Sequence, residues 1–386
     1  MSHRVPLSRA AAALVPLAVL AVAAPAAAAP PTPPAPAAAV ETVDLGSLGG
    51  TQTFASLINA TGQVAGQSTN AAGAQRAFLW TDGVLTDLGV APDGTFSLAS
   101  GLTDSGLVLG YGDTATGSAA FVWQDGVRTE LPAPGIGQVR PAGINDSGTV
   151  IGTDVTTSDL RRGFLWRSGQ LTDLGSLEPA LINDAGVVVG TVAEPDGSHR
   201  IVRWVDGVDT DLGTPGPATG LGAPYLVDLT ERGDVAAYVP TGTGHRAYVR
   251  RAGATGWREL RGLPGATDVR VTALNEVGQA VGTSNRGPGT LPSAVSWGAG
   301  PARALPTLGG NSSEAYDLND RGDVSGFSTT PSGDAHAAIW RDGVLLDVGP
   351  AGADSSAGAL NEAGQAVGSA FTLDDRIRAF RWTVTG

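Results

Sequence analysis

The sequence predicts an all-β fold: a single eight-bladed β-propeller with four antiparallel strands per blade, closed by an N-terminal strand that completes the last blade. Three observations predict it. One hairpin motif recurs eight times at a spacing near 42 residues, each copy is followed by a third and a fourth strand, and the domain opens on a fourth strand that its last unit lacks.

The hairpin reads I-N-A-T-G-Q-V-A-G at 58–66 and returns at 102–110, 144–152, 182–190, 229–237, 274–282, 318–326 and 360–368. Its glycines, Gly62, Gly106, Gly148, Gly186, Gly233, Gly278, Gly322 and Gly364, lie 38 to 47 residues apart. Asn or Thr at the turn start bonds the backbone further on, and Gly takes the positive φ that returns the chain to its ladder. A third strand follows, ending in Trp80, Trp123, Trp166, Trp204, Trp297, Trp340 or Trp382, with Arg250 standing in for Trp in unit five. A D-G turn then leads to the fourth strand, marked by Leu88, Leu131, Leu174, Leu212, Leu260, Leu305 and Val348. The last unit ends at T-V-T-G without that strand, while T-V-D-L-G at 42–46 is such a strand with no unit before it. Pairing 42–46 with 378–384 would remove two open sheet edges. Small residues, including the glycines at 66, 110, 152, 190, 282, 326 and 368, are expected where units crowd together.

Composition agrees with a turn-dense β protein. The 386 residues include 56 Gly and 25 Pro, and no Cys, so disulfides, thiolate metal sites and a cysteine nucleophile are excluded. All 24 basic residues are Arg, and the formal charge is -13, which argues against binding nucleic acid or anionic lipid through bulk charge.

Residues 1–28 read as a signal peptide: Arg4 and Arg9 precede an apolar run, and Ala26-Ala27-Ala28 forms a small-residue cleavage site. Residues 29–40 read as an extended Pro/Ala-rich linker, and 41–386 as the propeller. The expected location is extracellular, without stable membrane insertion, and the expected state a monomer.

These units resemble the HAF-type extracellular repeat family, whose pattern runs L-G-G, I-N-x-x-G-x-V-V-G, H-A-F-L-W and D-L-G. The resemblance covers about 42–384, with L-G-G at 48–50 and 308–310. It implies a predicted propeller of exported repeats and leaves activity open. His of H-A-F survives only at His336, with Arg at 76, 162, 200, 246 and 378, and unit five also carries Ala237 for Gly.

Long connections on one face are the expected recognition surface. Six third strands begin with a cation: Arg76, Arg162, Arg200, Arg246, His336 and Arg378. As ligand-binding residues they would grip carboxylates or sulfates; alternatively they pair with loop acids such as Asp113, Asp154, Asp196 or Asp374. On the other face, Asp104, Asp146, Asp184, Glu231, Glu276, Asp320 and Glu362 occupy the first turns, and Asp82, Asp125, Asp206 and Asp342 the second. They would attract cations or simply serve the turns. No calcium loop, H-x-x-x-H pair or phosphate cradle occurs, so no metal and no cofactor are expected. The functional expectation is a secreted, non-catalytic propeller binding an extracellular glycan or envelope protein through its long-loop face. The alternatives are a secreted hydrolase or lyase acting on an anionic polysaccharide, and a self-assembling surface protein.

Overall fold

The computed structural model describes residues 39–132, 138–155, 161–216, 221–287 and 289–385. The expected leader and the linker up to Ala38 lie outside them, as do parts of the long connections at 132–140 and 213–224.

Every regular element among the described residues is a β-strand. Unit one sets the pattern, with strands Gly49–Ile58, Val64–Asn70, Gln75–Thr81 and Val84–Asp87. Its first turn closes when the Gln63 amide donates to Asn59 Oδ1 at 2.9 Å, with Gly62 at φ 84°. Its second turn places Asp82 at φ 48° and Gly83 at φ 89°, a left-handed pair whose twist suits a two-residue hairpin. Asp125, Asp206 and Asp342 adopt the same conformation, so the second-turn acids serve the backbone.

A bulge recurs in the first strands, as at Ala55/Leu57 in unit one and Ala315/Asp317 in unit seven. It drives a carbonyl over the glycine of the second strand. A Cβ at Gly66 would lie 2.0 Å from the Phe54 oxygen, and one at Gly326 1.9 Å from the Glu314 oxygen. These glycines therefore answer to their own partner strand, not to crowding between units as expected from sequence.

The sheets group differently from eight separate blades. Six have four strands; the seventh has eight, because Gln52 in the long first strand pairs parallel with Ile377 and joins units one and eight. The architecture is thus an all-β, propeller-like array of four-stranded units. Within the joined sheet the N-terminal strand Ala39–Asp44 runs antiparallel to Arg376–Thr385, with Thr42 opposite Trp382. The Leu45 amide then donates to Ala379 O at 3.0 Å, as Leu88 does to Ala77 O and Val348 to Ala337 O in other units.

The core lies between neighbouring units. Ala65, Ala77 and Leu79 pack on Val108 and Phe121 of the next unit, and Val367 and Ala379 of unit eight pack on Val64 and Phe78 of unit one. Each Phe or Leu so buried contributes about 1.5–3 kcal/mol. Trp297 and Trp340 satisfy their indole N–H on the preceding unit, Trp297 Nε1 donating to Arg261 O and Trp340 Nε1 to Pro306 O, each at 2.8 Å, whereas Trp382 Nε1 is buried without a partner among the described residues. In unit five Trp257 Nε1 takes this role on Leu212 O at 2.9 Å, so the indole expected in the third strand is supplied from the following loop.

The first-turn acids stitch successive units together. The Ala60 amide donates to Asp104 Oδ1 at 2.8 Å, Asp104 to Asp146 at 2.8 Å, and Asp146 to Asp184 at 2.7 Å. The series continues through Glu231, Glu276 and Asp320 to Glu362. Asparagine amides run in parallel, from Asn59 to Thr103 O and from Asn361 back to Asn59 O, both at 2.9 Å. The acid series stops at Glu362, since Ala60 has no carboxylate to offer it. Ala60→Asp should therefore add a link and raise unfolding free energy by about 0.5–1.5 kcal/mol. An unchanged urea midpoint would show that the series carries no stability.

Candidate functional site at the first strands

The first strands of successive units touch one another in order, and that of unit eight touches that of unit one. Eight residues before each first-turn glycine the first strand presents one side chain: Phe54, Leu98, Arg140, Glu178, Tyr225, Arg270, Glu314 and Ser356. Each pairs with the residue that follows the small residue at the centre of its second strand, for example Phe54 with Gln67 and Arg270 with Thr283. The shared register places these side chains at one level, and all are at least partly exposed. The level is apolar in units one and two and charged in units three, four, six and seven.

Units five and six hold its densest chemistry. His245 Nδ1 lies 3.0 Å from Asp268 Oδ1, and the His245 amide donates to the same oxygen at 3.1 Å. Arg270 Nε is 3.1 Å from His245 Nδ1 and its terminal nitrogen 3.4 Å from Asp268 Oδ2. A proton on Nδ1 bonds the carboxylate; a bare Nδ1 accepts from Arg270. In the first arrangement Nε2 carries the free lone pair of a base, its ring oriented by Asp268. Tyr238 stands edge-on to this imidazole, with centroids 5.2 Å apart, and stacks on Tyr225 at 4.8 Å. Burial raises the Tyr238 phenol above its ordinary pKa, keeping it a hydrogen-bond donor. A cleft of about 640 Å³ adjoins, lined by Thr243, His245, Arg246, Glu259 and Thr267 among others.

The six cations expected to bind ligand do not converge. Arg162 pairs with Asp173, Arg200 with Glu194 at 2.5 Å, His336 with Asp347 at 2.9 Å, and Arg378 with Asp374 at 2.8 Å and Asp44 at 3.3 Å. Arg76 donates to Thr95 O at 2.7 Å, and Arg246 bonds the Tyr248 hydroxyl. Asp113 instead accepts from the Thr95 hydroxyl and the Phe96 and Thr95 amides, which lower its pKa to about 2. The recurring cations mark the third strands, whereas the side chains that share a level lie on the first strands. The constant offset from the turn glycine was the signal that marks it.

Deeper in the first strands, Asp228 and Asp317 each bridge two units. Asp228 accepts from the Leu229 and Leu274 amides, at 2.8 and 2.7 Å, and Asp317 from Leu318 and Leu360, both at 2.8 Å. Burial pushes both carboxyls up to about 6, against these hydrogen bonds. With folded pKa values above the unfolded ones, their stabilising contribution is complete below about pH 4 and is lost as pH rises through about 6. Carbon-13 NMR titration should give midpoints near 6 for both; midpoints near 4 would contradict the burial account. Among the described residues no group of three or more His, Cys, Asp or Glu is placed to hold a metal ion, and no helix is long and apolar enough to cross a membrane.

No family model matches the chain, and no curated protein matches it. Solved structures do. An acylaminoacyl peptidase in complex with Z-Gly-Gly-Phe-chloromethyl ketone is 12% identical over 82% of this chain and 57% of its own, with TM-score 0.50. Porphyromonas gingivalis dipeptidyl peptidase 4 is 9% identical over 83% and 57%, with TM-score 0.53. The β-propeller domain of the Pyrococcus furiosus trilobed protease is 11% identical over 78% of this chain and 96% of its own, with TM-score 0.50. The chain thus spans a little over half of the two whole peptidases. At these identities the likeness establishes the propeller-type fold. It also overturns the functional expectation of a non-catalytic binder of an extracellular glycan or envelope protein: the propellers that this chain resembles belong to peptidases.

Proposed function

We propose that this chain is a hydrolase-type propeller acting on peptide-like substrates, with His245 and Asp268 as its acid–base couple. The observation that carries the reading is the imidazole held at 3.0 Å from a carboxylate beside an open cleft. His245 Nε2 takes a proton from water as the oxygen adds to the scissile carbonyl, and returns it to the departing amine. Asp268 holds the ring and balances the imidazolium.

The reading includes a closed arrangement of eight blades. Supporting it are the contact between the first strands of units eight and one, the Asn361 bond to Asn59 O and the pairing of the N-terminal strand with the last. It also includes export, supported by Arg4, Arg9 and the apolar run after them, and HAF-type membership, supported by the repeated I-N-x-x-G hairpins.

The test is turnover of a panel of N-protected peptide esters and anilides by the purified chain. Turnover is expected, with kcat/KM about 10²–10⁴-fold lower in His245→Ala. No turnover above the spontaneous rate across the panel would refute the proposal.

A further inference from the structure

The first-strand level has an apolar side that the acid–base couple does not use. Between units seven, eight and one lies a cavity of about 500 Å³ whose walls include Phe54, Phe327, Phe371 and Ile377. Phe371 is 53% exposed, and Tyr316 rests against Phe327 with ring centroids 6.1 Å apart. An aromatic side chain left this open beside two others offers apolar area for a ligand to cover.

The polar groups narrow what fits. Ser56, Ser356 and Ser369 also line the cavity, and their hydroxyls have no hydrogen-bond partner among the described residues. Asp354 and Ser355 are already engaged, by the Ala335 amide at 2.9 Å and the Ala337 amide at 2.9 Å. No Arg or His belongs to the lining, so nothing there would compensate a buried anion.

We infer that this cavity is a specificity pocket for an aromatic side chain, with the serine hydroxyls meeting the amide groups that flank it. The inference rests on the peptide-hydrolase reading for its substrate class, because Phe54 and Ser356 share the level of Tyr225 and Arg270. An aromatic residue seated here would leave its neighbouring backbone to run along that level towards the charged units.

Binding of N-acetyl-phenylalanine amide and N-acetyl-aspartate amide to the full chain, followed by NMR, tests the pocket without requiring turnover. The phenylalanine derivative is expected to bind at least about tenfold more tightly, an interval of about 1.4 kcal/mol. Ser356→Trp, which fills the cavity, should abolish that preference, and Phe371→Ala, at an exposed position, should weaken binding about fivefold. Equal affinities, or a preference unchanged in a folded Ser356→Trp protein, would overturn the inference. The two proposals fail separately: aromatic binding without turnover would sink the hydrolase and leave the pocket, and His245-dependent turnover without aromatic preference would do the reverse.

Discussion

Replacing Asp323 with alanine is expected to lower the unfolding free energy by about 3–5 kcal/mol, because it removes a buried carboxylate that four hydrogen bonds hold and leaves the half-buried Arg341 guanidinium without its partner. The Asp323 side chain is 4% exposed and accepts from Arg341 at 2.8 and 2.9 Å, from Arg321 at 2.9 Å and from Asn319 at 3.2 Å. Arg341 continues the network by donating to Val384 O at 3.0 Å, so one carboxylate ties the turn of unit seven to the last strand of the domain. Burial alone would raise the Asp323 pKa, but bonds from Arg341, Asn319 and Arg321 outweigh it and hold the carboxyl below its ordinary value. Its stabilisation is therefore present above the unfolded pKa near 4 and lost as pH falls through the lower folded value, opposite in sign to Asp228 and Asp317. Urea unfolding of Asp323→Ala, Arg341→Ala and the double variant measures the coupling. A loss below about 1 kcal/mol for Asp323→Ala would mean that the network is not coupled to folding.

Removing residues 1–44 should cost about 5 kcal/mol or more and detach unit eight from cooperative unfolding. The N-terminal strand covers the edge of Arg376–Thr385, where Trp382, Phe380 and Val384 are 0%, 8% and 5% exposed. Val40 packs directly on that cluster. Losing the Val40 contact and the ladder from Ala39 to Asp44 opens part of that cluster, where each fully exposed large apolar side chain would forfeit about 1.5–3 kcal/mol, and the freed strand becomes a sheet edge open to self-association. Thermal unfolding and hydrogen exchange read this out: a lower midpoint with lost protection in 354–385 is expected. A midpoint within a few degrees of the full chain would contradict the covering role.

Much of the fold was legible because turn chemistry is local. The Asn, the acid and the Gly of each hairpin announce its backbone conformation, so the four-strand unit and the fourth-strand character of 42–46 could be read from residue type alone. What the turns do between units was not legible. Asp104 reads as a turn former, and only the folded chain brings the Ala60 amide, 44 residues earlier, to its carboxylate. Trp257 likewise stands outside the third-strand pattern, yet its indole reaches the carbonyl expected of a strand residue. The site was less visible still. Arg and His beginning six third strands attracted notice because they recur, whereas His245 and Asp268 belong to different units and meet across 23 residues. The proposed couple forms only where two units meet, so residue types read along a single repeat do not announce it.

The account depends on the N-terminal strand lying beside the last one, since that pairing brings unit eight to unit one and their first strands to a common level. A cysteine pair tests this directly, because the chain has no cysteine of its own. Glu41 and Thr383 are opposite one another across the antiparallel pair, within the Cα separation a disulfide spans. Mild oxidation of the Glu41→Cys/Thr383→Cys protein should give a monomeric, intramolecular disulfide, with 41 and 383 in one linked peptide by mass spectrometry and a raised unfolding midpoint. Free thiols after oxidation, or cross-links only between molecules, would contradict it.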